Sequence, residues 1–332
     1  MNIRQIVPVI LLAAAFANAE IAKAETVPAD VKKVVTFIFP ADAQGNLMRD
    51  RNNNPIPYGT GFFVGVKSED GKSIYGYLVT AKHVLKDPQG NDFNRVYLRL
   101  NKKQGDAEFV PLDLNQSGQR VVYTHTNPSV DIAVVPALPL EAIFDFKVVS
   151  QEMLSTKATF DEFNIAEGSD IFFVGLFTTY YGEHKNNPII RFGRVAMFPD
   201  DPLPWVDYQG QPEQHAQLYL IETQSYGGNS GSPVFFSLGP DRLPKQGYLL
   251  GSSVIKLAGV MRGRFNDTNP PLGFVQGPTA STPIALPNIG IAAVTPSYFL
   301  YEILFSNELK RFRAEHPILA PAADGESVKK PE

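Results

Sequence analysis

Three residue types in this chain have the chemistry of a nucleophilic relay: a serine, a histidine and an aspartate. Ser230 lies in residues 227–233, which read Gly-Gly-Asn-Ser-Gly-Ser-Pro, and its glycines let the backbone turn tightly. A serine hydroxyl attacks a carbonyl carbon only when a base takes its proton and N–H groups stabilise the oxyanion that forms. His83 is the candidate base, because the ordinary pKa of imidazole lies near neutrality.

Asp131 is the candidate partner of the histidine. It stands at the start of the apolar run Ile132 to Val135, where a carboxylate is costly unless it is hydrogen-bonded, for instance to an imidazole N–H. The chain order is histidine, aspartate, serine. That order is one of several convergent arrangements of the same three groups, and it is the one found on double β-barrels.

The elements that must position these groups are predicted to be short β-strands. Apolar, β-branched and aromatic runs alternate with Gly, Pro, Asn and Asp clusters, and helical periodicity between them is almost absent. This pattern predicts an all-β fold of the barrel or sandwich type. The predicted strands are 34–39, 61–66, 75–80, 95–100, 121–124, 131–135, 170–175, 189–195, 217–223, 231–236, 258–261 and 290–294.

A single helix is predicted near the end of the chain, over residues 295–314. Thr295 is the expected N-cap and Pro296 the expected first helical residue. Its apolar residues recur on one face and should dock against the barrels: Phe299, Leu300, Ile303 and Leu304. The tail, 315–332, is rich in Pro, Ala and charge, and disorder is expected there.

Length and composition set further bounds. With 332 residues, 44% of them hydrophobic and 19% charged, the chain can form one large domain or two coupled barrels. The predicted division is a first barrel at 25–140, a crossing at 141–165 and a second barrel at 166–294. A net charge of −4 gives no reason to expect nucleic acid or an anionic membrane surface as a partner.

Residues 1–24 are predicted to be a secretory signal. Arg4 supplies the positive start, residues 6–16 the apolar core, and Ala-Asn-Ala at 17–19 or Ala-Lys-Ala at 22–24 the cleavage site. The apolar core is too short to span a bilayer, so no membrane span is expected in the mature chain. Which site is cleaved stays open.

The absence of cysteine excludes disulfides, a thiol nucleophile, a Cys-ligated zinc site and a lipoprotein anchor. An exported chain without cysteine fits a bacterial periplasm or the exterior. The five histidines do not combine with acidic residues at metal-ligand spacing, so no metal and no cofactor is expected, although calcium at a loop stays open. Nothing in the residues indicates an oligomeric state.

The contexts of the three relay residues resemble the trypsin/chymotrypsin-like serine peptidases, and in particular their cysteine-free bacterial branch with the glutamyl endopeptidases and the high-temperature-requirement peptidases. The matching motifs are Thr-Ala-Lys-His at 80–83, Asp-Ile-Ala-Val at 131–134 and Gly-Asn-Ser-Gly-Ser-Pro at 228–233. Gly-Thr-Gly-Phe-Phe-Val at 59–64 and Leu-Ala-Gly-Val at 257–260 match as well. The resemblance covers about residues 58–300, with no appended peptide-binding domain expected.

This resemblance implies two antiparallel six-stranded β-barrels and a secreted or periplasmic endopeptidase acting on polypeptides through an acyl-enzyme. Ser230 would be the nucleophile, His83 the general base and acid, and Asp131 the group that fixes the tautomer of His83. The N–H groups of Gly228 and Ser230 would form the oxyanion hole. The alternative is a catalytically idle scaffold of the same fold that serves as a protein-binding module. An esterase elbow of the Gly-x-Ser-x-Gly type is absent, and the residue order also disagrees with that fold.

Two departures from the family pattern concern activation and specificity. Asn229 stands where members activated by cleavage carry an aspartate, so activation through an ion pair with a new N-terminus is not expected. Gln224 stands where trypsin-type enzymes carry the pocket acid, and Ser225 follows it, so a preference for Arg or Lys substrates is disfavoured.

The facing wall of the substrate pocket is expected at residues 261–264, which are Met261, Arg262, Gly263 and Arg264. In many relatives this segment pairs with the substrate backbone as an added strand. Arg262 and Arg264 would then favour acidic substrate side chains through charge-assisted hydrogen bonds. The alternative for both arginines is a solvated strand end without substrate contact.

Overall fold

The computed structural model describes residues 27–206, 213–239, 254–264 and 290–316, together with the strand residues 274–276 and 281–283. The predicted signal segment, 1–24, and the tail beyond residue 316 lie outside the described residues. The predicted division into barrels and crossing stays a prediction.

Ten strands occupy the described residues up to 150. They are Val35–Pro40 (β1), Gly59–Lys67 (β2), Ile74–Thr80 (β3), Arg95–Leu100 (β4), Glu108–Asp113 (β5), Asn115–Gln116 (β6), Gln119–Arg120 (β7), Tyr123–Thr124 (β8), Ala133–Pro136 (β9) and Val149–Ser150 (β10).

The first sheet has eight strands in the order β5-β4-β1-β2-β3-β9-β8, with β10 pairing with β2 in parallel. The other pairs are antiparallel, and registers such as Leu78 opposite Val135 and Thr80 opposite Ala133 bring β3 beside β9. Since β3 leads into the histidine segment and β9 follows the aspartate, this pairing places both segments at one end of the sheet. β1 and β2 are buried along almost their whole length, so buried and exposed residues do not alternate along them.

Ten strands follow in the later described residues. They are Asp170–Gly175 (β11), Ile189–Met197 (β12), Leu203–Trp205 (β13), Gln214–Ala216 (β14), Tyr219–Glu222 (β15), Pro233–Leu238 (β16), Val254–Arg264 (β17), Phe274–Gln276 (β18), Ser281–Pro283 (β19) and Ile291–Pro296 (β20).

The second half contains a closed barrel in the order β11-β12-β15-β20-β17-β16, with β16 returning to β11. β-bulges bend its strands, one of them in β17 between Met261 and Gly263 opposite β20. The predicted all-β, double-barrel fold class is therefore confirmed. The first half differs in detail from a six-stranded barrel, because its sheet has eight strands and an open hydrogen-bonded path.

Three α-helices lie in the described residues: Lys157–Glu162 (α1), Ser297–Leu304 (α2) and Asn307–Glu315 (α3). The predicted start of the C-terminal helix is wrong, because Thr295 and Pro296 end β20, where they pair with Val260 and Gly259 of β17. Sheet pairing holds both residues extended, and Pro296 becomes the N-cap of α2. The predicted single helix is two helices, since the chain turns at Phe305 and Ser306, and the Ser306 side chain caps α3 by accepting from the Leu309 N–H.

One apolar core joins the two halves. The same cluster contains Leu78 and Val134 of the first sheet, Phe235 and Val260 of the barrel, and Leu304 of α2. The apolar face that the sequence predicts on the C-terminal helix is buried, with its four residues between 0% and 7% exposed. The two halves are therefore fixed against each other by shared packing, and none of the described helices is long and apolar enough to span a membrane.

Candidate active site

His83 lies on a short 3₁₀ turn, Lys82–Leu85, directly after β3. Apolar packing holds the turn in place, because Ala81 before it and Val84 and Leu85 within it are almost completely buried. The ammonium group of Lys82 donates to the carbonyl oxygens of Pro128 (2.6 Å) and Val130 (3.3 Å). The histidine turn is thus tied to the segment that carries the aspartate.

Asp131 precedes β9 and is only 1% exposed. Its Oδ2 lies 2.6 Å from His83 Nδ1, and its Oδ1 accepts the backbone N–H of His83 at 3.0 Å. Both carboxylate oxygens therefore hold the histidine, and Nδ1 is the nitrogen that the carboxylate fixes. Burial alone raises the pKa of Asp131, but the charge and hydrogen bonds of His83 and the charge of Arg262 outweigh it, so this pKa lies below its ordinary value.

Ser230 lies on a turn that only glycine geometry allows. Gly228 and Gly231 have φ of +90° and +84°, which places both in the left-handed region. Asn229 holds the turn from inside: its Nδ2 donates to the Leu176 carbonyl (2.7 Å) and its Oδ1 accepts the Tyr226 N–H (2.9 Å). The neutral residue at this position therefore fixes the serine turn by amide hydrogen bonds.

The hydroxyl of Ser230 donates to the carbonyl oxygen of Arg262 at 3.1 Å. A hydroxyl has one proton, and in this arrangement the carbonyl oxygen of Arg262 accepts it. This hydrogen has to turn away from the Arg262 carbonyl before His83 can take it. Among the described residues, none accepts a hydrogen bond from the backbone N–H of Gly228 or Ser230, the two predicted oxyanion donors.

The residues predicted to line the substrate pocket separate into exposed and buried groups. Gln224 and Arg264 are exposed and Gly263 is half-buried, whereas Ser225 is buried. Met261 is completely buried and packs in the core of the barrel. A wall formed by the Met261 side chain therefore does not agree with the structure, because alternation along β17 turns this residue inward.

The position of Arg262 agrees with neither of the two interpretations from the sequence, which were contact with acidic substrate side chains and a solvated strand end. A solvated strand end is wrong for this residue, which is 2% exposed. Its Nη1 donates to the Ser129 carbonyl (2.9 Å), and its Nε lies 3.7 Å from Asp131 Oδ2. The side chain is thus directed at the buried aspartate and not toward a substrate side chain.

Two site residues are missing from the sequence prediction. Thr60 donates from its backbone N–H to the Ser230 carbonyl (2.9 Å) and from its hydroxyl to the Gly228 carbonyl (2.8 Å). Trp205, the single tryptophan of the chain, lies under the Arg262 guanidinium, with its ring centre 5.1 Å from Cζ. Thr60 belongs to the family-like motif at residues 59–64, so the sequence contained a pattern that could have indicated its role. Nothing in the sequence links Trp205 to the site.

Comparison with solved structures gives remote similarities. The protease domain of MamO from Magnetospirillum magneticum, in its apo form, is 14% identical with a TM-score of 0.46, covering 82% of this chain and 97% of that one. A serine endoprotease from Yersinia pestis is 12% identical with a TM-score of 0.39, covering 83% of this chain and 62% of that one. No curated protein matches the sequence significantly.

A family model matches the sequence directly. It describes a trypsin-like peptidase domain and aligns with residues 59–239, a stretch that contains His83, Asp131 and Ser230. This stretch is more than half of the 332 residues, so the chain belongs to the trypsin-like peptidase domain family.

Proposed function

We propose that this protein is a serine endopeptidase that cleaves peptide bonds through His83, Asp131 and Ser230 and an acyl-enzyme intermediate. The observation that carries the proposal is the contact of 2.6 Å between His83 Nδ1 and a carboxylate oxygen of the buried Asp131. A carboxylate in this position orients the imidazole and stabilises it when it gains a proton. A protein that only binds partners has no physical need for this arrangement.

The proposed reaction starts with rotation of the Ser230 hydroxyl toward His83. Because Asp131 holds Nδ1, Nε2 is the nitrogen that takes the serine proton as the oxygen attacks the scissile carbonyl carbon. The negative charge on the substrate oxygen is received by the N–H groups of Gly228 and Ser230. His83 then gives its proton to the leaving amine, and a water molecule activated by the same histidine hydrolyses the ester on Ser230.

The proposed substrate is a polypeptide bound in extended form beside the end of β17. With Met261 and Arg262 buried, Gln224, Gly263 and Arg264 are the predicted pocket residues that can face it. A preference for acidic side chains then depends on Arg264 alone, through a charge-assisted hydrogen bond. Peptides that differ only in the residue before the scissile bond test this, and equal rates for Glu, Leu and Ala reject it.

The proposed location is the bacterial periplasm or exterior. This rests on the signal pattern in residues 1–24 and on the lack of cysteine. Expression of the full chain in a bacterium, followed by N-terminal sequencing of the protein from each compartment, tests it. Processed protein starting after Ala19 or Ala24 is the expected result, and unprocessed protein confined to the cytoplasm contradicts it.

Covalent labelling tests the catalytic proposal. A fluorophosphonate probe reacts with a serine hydroxyl only when a base activates it. We expect labelling of Ser230 in the protein and none in Ser230→Ala or His83→Ala, with all three folded by circular dichroism. Digestion of a peptide library by the same preparation then reports cleavage and preference together.

The idle binding module is the second candidate, because the Ser230 hydroxyl donates to the Arg262 carbonyl oxygen. The same labelling experiment separates the two candidates. If the folded protein is neither labelled by the probe nor able to cleave the library, the enzyme assignment is wrong. A screen for bound polypeptides is then the next step.

A further inference from the structure

A buried arginine faces the acid of the proposed relay. The Arg262 guanidinium and the Asp131 carboxylate are each 1% exposed by side chain, and Nε lies 3.7 Å from Oδ2. This Oδ2 is the oxygen that contacts His83 Nδ1, whereas Oδ1 accepts the His83 backbone N–H. One carboxylate oxygen therefore lies between a histidine ring and a permanent cation.

Three features hold the guanidinium in this place. Arg262 is the extra residue of the β-bulge, since Met261 pairs with Val294 and Gly263 with the adjacent Ala293. A bulge turns a side chain out of the ordinary alternation, and here it turns the arginine toward the aspartate. The guanidinium also stacks over Trp205 and donates to the Ser129 carbonyl, so it is fixed on three sides.

The charge balance of the buried group follows from this geometry. Asp131 carries −1 and Arg262 +1, so the group is neutral when His83 is neutral and becomes +1 when the imidazole gains a proton. In a relay without the arginine, protonation of His83 would change the net charge of the buried group from −1 to 0. Burial disfavours net charge, so the arginine favours the unprotonated, basic histidine.

Among the described residues, two cations lie on the elements that hold this pair. One is Arg262 from β17, and the other is Lys82 on the histidine turn, which donates to the carbonyls of Pro128 and Val130. The guanidinium is the one beside the carboxylate oxygen that contacts the imidazole. Burial raises the pKa of Asp131, whereas the charge and hydrogen bonds of His83 lower it. The charge of Arg262 also lowers it, and the pKa lies below its ordinary value.

We infer that Arg262 is a positioning residue whose buried charge keeps Asp131 oriented and His83 in its basic form toward more acidic pH. This role rests on the proposed peptidase function, because it supplies the base of that reaction. The backbone carbonyl oxygen of the same residue accepts the hydrogen bond of the Ser230 hydroxyl. Serine and histidine are thus both connected to one residue of β17.

The test measures the titration of His83 directly. NMR spectra of the ¹⁵N-labelled mature protein follow the imidazole nitrogens against pH, and the spectrum of His83→Ala identifies the signal of His83. Arg262→Met removes the charge but keeps an apolar side chain over Trp205. We expect the pKa of His83 to rise by about one unit, the order expected for the loss of a nearby partly screened unit charge.

Two further variants control for structure. Arg262→Lys keeps the positive charge but loses the planar guanidinium and its stacking over Trp205. Because the charge is kept, the pKa of His83 should stay within about 0.3 units of the wild-type value. Lys256→Met removes a cation from the same strand, where its ammonium group donates to the Glu152 carbonyl, and should leave the pKa of His83 unchanged. If Arg262→Met does not fold, Arg262→Gln, which can still donate to Ser129, replaces it.

The outcomes separate this inference from the proposed function. A folded, charge-free variant with an unchanged pKa of His83 overturns the inference, and so does an equal shift in Arg262→Lys. The rate of fluorophosphonate labelling against pH, recorded on the same variants, should shift to higher pH with Arg262→Met. If the wild-type protein is not labelled at all, the peptidase proposal falls, and the NMR titration still decides the role of Arg262.

Discussion

Thr60 and Ser230 are joined by a direct hydrogen bond, in which the Thr60 backbone N–H donates to the serine carbonyl at 2.9 Å. The Thr60 hydroxyl adds a bond to the Gly228 carbonyl (2.8 Å) and accepts the Leu176 N–H (2.9 Å). Thr60 is the second residue of β2, in the sheet that carries the histidine, whereas the serine turn precedes β16 of the barrel. The first sheet therefore fixes the position of the serine turn at two backbone carbonyls, those of Ser230 and Gly228.

Thr60→Val removes the hydroxyl but keeps the size and branching of the side chain. The buried Gly228 carbonyl and Leu176 N–H then lose their partner, at a cost of about 1–3 kcal/mol in the free energy of unfolding. Because the turn also loses one of its two bonds to Thr60, we expect the rate of fluorophosphonate labelling at Ser230 to fall roughly tenfold. Denaturant unfolding and labelling kinetics measure the two effects.

Thr36→Val is the matched control for this prediction. Thr36 is buried in the same sheet, and its hydroxyl donates to the Arg99 carbonyl at 3.0 Å, away from the serine turn. Its loss should lower stability by a similar amount and leave the labelling rate unchanged. Equal labelling rates in both valine variants would show that Thr60 does not position the serine.

Gly231→Ala should be far more damaging than Gly227→Ala. Gly231 has a φ of +84°, and a Cβ there would collide with the Thr60 carbonyl oxygen and the Thr80 hydroxyl. A Cβ on Gly227 would meet no atom within 4 Å. We expect the first variant to lose about 3 kcal/mol or more of stability, together with its labelling, from strain and overpacking.

The second alanine should fold and react nearly as the wild type does. Thermal unfolding, with labelling of the same samples, distinguishes the two. A stable, reactive Gly231→Ala protein would contradict the described path of the serine turn.

Asp131→Asn should lower both the labelling rate and the free energy of unfolding, and the effect on unfolding should depend on pH. The amide cannot orient His83 as the carboxylate does, and a loss of labelling rate of about 10⁴ is expected from the equivalent change in such relays. At neutral pH it also leaves Arg262 buried without its counter-charge, which costs about 3–5 kcal/mol in the free energy of unfolding. Asp201→Asn, at an exposed position, is the control and should change neither property.

The stability effect of Asp131→Asn has a defined direction with pH. The pKa of Asp131 is lower in the folded protein than its ordinary value near 4, so its stabilisation is complete above that pH. It is lost as the pH falls through the folded-state pKa. The difference in Tm between wild type and variant should therefore be constant at neutral pH and shrink below about pH 4, and a difference independent of pH over that range counts against the described contacts.

The strands that the sequence predicts best begin directly after a turn residue, Asn94 before β4 and Ser169 before β11. β4 (Arg95–Leu100) and β11 (Asp170–Gly175) have the predicted limits. β5 (Glu108–Asp113) is missing from the prediction because Pro111 lies in its middle. Proline is tolerated there because β5 is an edge strand, with only β4 beside it in the sheet order.

The proposed site shows a similar limit. Motifs identify His83 and Asp131, which the structure brings into contact, because the residue types and their β contexts are local properties. The position of Arg262 is not local, since it depends on a bulge between β17 and β20 and on a tryptophan from β13. Periodicity alone places this arginine at a solvated strand end, and only the register of two distant strands reverses that interpretation.

Gly263→Ala should block the approach to Ser230 and, because Gly263 has a φ of +157°, should also introduce some backbone strain. A Cβ on Gly263 would have Ser230 Oγ and Trp205 Cζ2 as its nearest atoms, each at 3.9 Å, so the methyl group would occupy the space beside the nucleophile. We expect a small fluorophosphonate to label this variant at a rate within about threefold of wild type, and peptide hydrolysis to fall by tenfold or more, since an extended chain needs more room than the probe.

Gly71→Ala controls for the backbone in this comparison. Gly71 has a φ of +69° and open space around its Cα, in the turn between β2 and β3, so alanine there introduces left-handed strain without reaching the site. It should lower Tm slightly and leave both rates unchanged. If Gly263→Ala cleaves peptides as fast as Gly71→Ala does, substrate does not lie against Gly263, and the extended mode of binding beside β17 is wrong.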